Sequence, residues 1–79
     1  MTNFRSWLVK EIETLQNRSE LTADAYLSFQ SSVISLVQQE ASDELVEENR
    51  FKATVYYETY LDLQIQLGKL TGQLKQYTK

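Results

Sequence analysis

The side chains of this 79-residue chain that are equipped for chemistry are almost all carboxylates. Histidine and cysteine are both absent, so there is no imidazole or thiolate to act as base, nucleophile or metal ligand. The serines have no evident base beside them. Gly68 and Gly72, the two glycines, come too late for a phosphate-cradling loop ahead of a helix. What remains is an acidic group in the C-terminal half: Glu44 and Glu47, an E-x-x-E pair on one helical turn, with Glu58 and Asp62 farther along. Hard oxygen ligands of this kind suit Mg²⁺. Acids on a single helix, however, point along one rod and do not converge on an ion, so a solvated acidic face is the plainer reading. No catalytic, cofactor-binding or metal-ligating residue is assigned, and the expectation is a protein that is not an enzyme.

Three helical segments are expected to carry these side chains. The first starts at a cap on Thr2 or Asn3 and runs to about Asn17, with Phe4, Trp7, Leu8, Ile12 and Leu15 on one face and Trp7 as a core anchor. Asn17-Arg18-Ser19-Glu20 reads as a polar break, and Thr22 as the cap of a second helix reaching about Gln39. Tyr26, Phe29, Val33, Leu36 and Val37 share one face of that helix. Leu27, Ile34 and Ala41 repeat every seven residues beside them, an apolar arc wide enough for two neighbours. Ser28, Ser31, Ser32 and Ser35 line its other side. Ala41-Ser42-Asp43 is the second expected break, capped by Ser42 or Asp43. The competing reading is one helix from Glu20 to Lys79, because nothing there forces a turn.

The third segment has the clearest pattern. Val46, Asn49, Ala53, Tyr56, Tyr60, Leu63, Leu67, Leu70, Leu74 and Tyr77 alternate spacings of three and four without a slip, a heptad stripe of more than four repeats. A helix of this length is too long for two shorter ones to cover, so these ten residues are expected to form an interface, partly with another copy of the chain or a different protein. Polar Asn49 and the tyrosine hydroxyls need partners in such a seam, which favours a specific pairing. A second strip, Tyr57, Leu61, Ile65, Gly68 and Gly72, lies beside the first. Its glycines allow either close backbone approach or fraying.

Composition points the same way. An apolar fraction of 42% with 24% charged residues and no proline is that of a folded domain, here a single one spanning 1–79. A chain this short buries only about 60–65% of its unfolded surface. With disulfides and imidazole or thiolate metal sites closed to it, association is the remaining source of stability. A net charge of −3 argues against nucleic acid as a partner. Glu40, Asp43, Glu44, Glu47 and Glu48 form an acidic cluster, while Lys69, Lys75 and Lys79 make the C-terminal end basic, as the helix dipole favours. The apolar runs are too short for a membrane span or a signal peptide, so a cytoplasmic location is expected.

Three family likenesses extend these readings. The Glu44/Glu47 and Glu58/Asp62 pairs loosely resemble the two short acidic motifs by which all-α nucleotide pyrophosphohydrolases hold Mg²⁺ on neighbouring helices. They depart from that pattern in the spacing of the second pair and in sharing one predicted helix. Tyr60-Leu61-Asp62-Leu63 with Gly68-Lys69-Leu70-Thr71-Gly72-Gln73 resembles the C-terminal helix of short accessory proteins of tailed bacteriophages. That likeness covers the last quarter of the chain and implies a non-enzymatic helical protein of the host cytoplasm or the virion. In length, scarcity of histidine and use of one apolar helix face, the chain is also similar to the small helical-hairpin cochaperones of type III secretion. The expectation is an all-α protein, either a bundle of a short, a medium and a long helix or a hairpin with a long heptad-patterned C-terminal helix. It acts by protein–protein interaction, with itself as dimer or larger assembly, or as a cochaperone or inhibitor of a foreign protein.

Overall fold

Two α-helices of equal length, α1 (Phe4–Gln38) and α2 (Asp43–Tyr77), make up the computed structural model, which describes residues 4–77. Among the described residues there is no strand. The all-helical class is as expected; the three-helix bundle is not what forms.

The difference lies at residues 17–22, where a break was expected and α1 runs straight through. No residue of Asn17-Arg18-Ser19-Glu20 is a helix breaker: Asn17 and Ser19 are modest helix formers, Arg18 and Glu20 good ones. The Thr22 hydroxyl does not cap a new helix. It donates back to the Arg18 carbonyl at 2.7 Å, as Thr14 does to Lys10 at 3.0 Å, so each is satisfied inside a continuous helix. Ser19 is buried rather than exposed at a turn. Thr2 and Asn3, the expected caps, lie outside the described residues.

The second expected break is the real one. Glu40 takes a left-handed conformation, φ 58°. Its N–H donates to the Val37 carbonyl at 3.1 Å, and that of Ala41 to Leu36 at 2.9 Å, the two bonds that close a helix in a Schellman motif. Two residues later the Ser42 hydroxyl accepts from the Leu45 N–H at 3.3 Å, capping α2. Asp43 and Glu44 then sit in the first turn of α2 and Lys75 in its last, each matched to the dipole. Chain reversal thus takes four residues, 39–42, and α2 continues unbroken through Gly68 and Gly72.

Reversal lays α2 antiparallel along α1. Phe4 meets Tyr77 with ring centroids 5.1 Å apart, Gln64 bonds Ser19, and Tyr56 stacks on Phe29 at 5.5 Å. The facing stripe of α1 is Leu8, Ile12, Leu15, Ser19, Thr22, Tyr26, Phe29, Val33 and Leu36, again alternating threes and fours. Every one of these is buried or half-buried, and Leu8 is fully so. Trp7, the expected core anchor, is not among them. It lies one position off the stripe, 51% exposed, stacked on Phe4 at 5.7 Å.

The product is a rod of 60 × 14 × 14 Å with a radius of gyration of 17.7 Å. A globular chain of this length would have a radius near 12 Å.

Candidate interaction surface

The ten-residue stripe of α2 lies in the seam between the helices. Ala53 and Leu63 are buried; Val46, Asn49, Tyr60, Leu67, Leu70 and Leu74 are half-buried; Tyr56 and Tyr77 are exposed along one edge while their rings contact Phe29 and Phe4. The expectation that two shorter helices would leave part of this stripe uncovered does not apply, since a single 35-residue α1 runs beside it for its whole length.

Polar groups in the seam are few and paired. Asn49 donates to the Leu45 carbonyl of its own helix at 3.0 Å, so it does not tie the two helices together. That tie is made at mid-rod, where the Gln64 amide donates to the buried Ser19 hydroxyl at 2.6 Å. Ser19 and Gln64 were not singled out from the sequence. A small polar residue in a weakly apolar stretch looks like a break until the opposing helix is known.

What the hairpin leaves open is a strip along one side. Tyr26, Gln30, Arg50, Ala53, Thr54 and Tyr57 line one groove on that side, and Ala23, Tyr60 and Gln64 another. Leu27 and Ile34 follow Ala23 and Gln30 at helical spacing, as Leu61 follows Tyr57, so they rise from the same side. Leu27 is 61% exposed, Ile34 59% and Leu61 42%. Val37, also exposed, extends the strip, while Ile65 lies farther round, on the outer face of α2. The strip thus joins parts of the two secondary strips of the sequence, brought side by side by the hairpin.

The opposite side differs in character. Its groove near the turn is lined by Ser28, Ser31, Ser32, Ser35, Gln39 and Asn49 together with Leu36 and Leu45. Lys52, Thr59, Gln66 and Gln73 continue that edge, with exposed apolar side chains at Leu45, Val55 and Tyr56 and, at the open end, Phe4 and Tyr77 beside Gln73. Nearby, Lys52 lies 5.7 Å over the Phe29 ring and 3.5 Å from Glu48. The two sides therefore differ in where their apolar side chains lie: in a run along the middle on one, and set among hydroxyl, amide and charged groups on the other.

Exposed area gives the scale. The chain exposes 6057 Å². A compact monomer of 9.2 kDa would expose about 4,900 Å². The excess, about 1,100 Å², is more than the roughly 800 Å² each partner contributes to a stable protein interface. A two-helix rod has no third layer to cover its flanks.

The acidic residues stay apart. Glu47 pairs with Arg50 at 3.2 Å and Glu48 with Lys52, in exposed bridges worth a few tenths of a kcal/mol. Among the described residues no three acidic groups come close enough to share a metal ion, and no helix is long and apolar enough to cross a membrane. Comparison with protein-family models, curated proteins and solved structures gives no match.

Proposed function

We propose that this chain is a non-enzymatic interaction module: a rigid helical hairpin that self-associates through the apolar strip of Leu27, Ile34, Val37, Tyr57 and Leu61, in a structural or assembly role. The observation that carries this is the run of exposed apolar side chains along the middle of one flank, Leu27, Ile34, Val37, Tyr57 and Leu61. Single exposed apolar residues are ordinary on any protein, but a continuous strip on one flank is a binding surface. A role in a virion or in host interaction, of the kind the phage resemblance implies, is compatible with such a module.

This reading replaces the ten-residue α2 stripe as the contact between molecules. A charge placed on Leu63 would open the hairpin itself, so it does not report on association. The informative substitutions are on the strip. Leu27→Ser with Leu61→Ser removes four half-exposed leucines per symmetric pair, about 4 kcal/mol of burial in total. The expected result is a dissociation constant higher by two to three orders of magnitude with helicity retained, read by sedimentation and circular dichroism. Unchanged association in this variant, with loss of association in Val55→Ser on the other side, would move the contact to the wrong flank for this proposal.

A further inference from the structure

We infer that the strip is covered by the same strip of a second copy lying antiparallel to the first, a four-helix bundle with its turns at opposite ends. The inference rests on the reading of this strip as a protein-binding surface and adds its occupant and direction.

The area argues for a copy of the same size and length. The excess exposure of about 1,100 Å² matches what one partner of a stable dimer contributes, and a second 60 Å rod can follow the strip along its whole length. A symmetric pair is also the commonest closed arrangement of identical chains, because one patch then serves on both sides.

Charge argues for the direction. Between residues 20 and 63 there are nine acidic and two basic side chains; in the described remainder, at the open end of the rod, there are five basic and two acidic. Each hairpin is therefore negative at its turn and positive at its open end. Two rods side by side in the same direction would set acid against acid along the turn halves. Reversed, the acidic turn of each rod lies away from that of the other, which avoids the like-charge juxtaposition of the parallel arrangement. The strip sets the overlap as well. It is centred near Tyr57, on the turn side of mid-rod, so a two-fold axis there brings Glu44, Glu47 and Glu48 of one copy level with Arg18 and Lys69 of the other.

Absence of cysteine makes the arrangement directly measurable, since one introduced thiol per chain gives one spin-label distance per dimer. In the antiparallel bundle, labels on Glu44→Cys lie some twelve residues from the axis on each side, about 36 Å apart at the helical rise. In a parallel bundle they lie within about 20 Å, a bundle's width. Labels on Thr54→Cys, exposed on the strip near the axis, are within about 20 Å if this side is the contact and beyond about 30 Å if the serine-lined side is. The expected result is a long Glu44 distance with a short Thr54 distance. A short Glu44 distance, or a long Thr54 distance, overturns this inference while leaving self-association standing. A monomeric mass for the labelled and the unlabelled chain alike overturns both.

Discussion

Glu40 is the most strained residue of the turn, and replacing it should stabilise the protein. Its φ of 58° puts an L side chain in the left-handed region, which costs roughly 1–2 kcal/mol. Glycine there escapes that cost but gives back about 0.5–1 kcal/mol through its freer unfolded chain. A second cost is electrostatic. Glu40 is an acid at the C-terminal end of α1, where the last turn contains no basic residue, and relieving that should add about 0.3–1 kcal/mol. Glu40→Gly is therefore expected to gain about 1–1.5 kcal/mol, or a melting temperature raised by at least about 5 °C for a chain of this size. The assay is thermal unfolding followed by far-ultraviolet circular dichroism, at one fixed protein concentration because an associating protein melts later when concentrated. Glu40→Gln separates the two causes: it keeps the strain and should recover only the electrostatic part. A lower melting temperature for Glu40→Gly would refute the reasoning, since a turn that did not hold residue 40 in the left-handed region would lose from the added flexibility alone.

Other positions give predictions of different sign. Leu8, the one fully buried side chain among the described residues, should cost about 2–5 kcal/mol as alanine, enough in so small a core to leave chemical denaturation without a folded baseline. Ser19→Ala removes the acceptor of the cross-helix hydrogen bond from Gln64, and because Gln64 can turn to water the expected loss is a modest one, roughly 0.5–1.5 kcal/mol. Gly68→Ala and Gly72→Ala should each stabilise the helix by up to about 1 kcal/mol, since nothing else in the chain comes within 4 Å of an added Cβ. A loss of stability at either glycine, measured by denaturant titration, would reveal a close approach by something outside the hairpin.

How far the sequence could be read depended on what each segment offered to a periodic pattern. The α2 stripe was legible because nine of its ten residues are apolar or aromatic, so threes and fours stand out over 32 residues. Ser42 was legible as a cap because a hydroxyl three residues before an amide it can accept from is a local feature. The matching stripe of α1 was not, because Ser19 and Thr22 occupy two adjacent seam positions. Both look like turn residues in isolation. Only the opposing Gln64 amide and the carbonyl of Arg18 explain why each tolerates a helix. Trp7 misled for a related reason: its size suggested a core role, but the seam passes one residue away through Leu8. The apolar strip was visible only as parts of two separate runs, Leu27 and Ile34 in one and Tyr57 and Leu61 in the other, whose meeting on one side depends on the register set by a four-residue turn.

Association through an exposed apolar strip is the centre of this account, and solution mass tests it most directly. Light scattering coupled to size exclusion, over a wide range of protein concentrations, should give a dimer that falls apart only on dilution. A monomer with full helicity at every concentration would contradict it, leaving a stable two-helix rod that tolerates its open flank and binds no copy of itself.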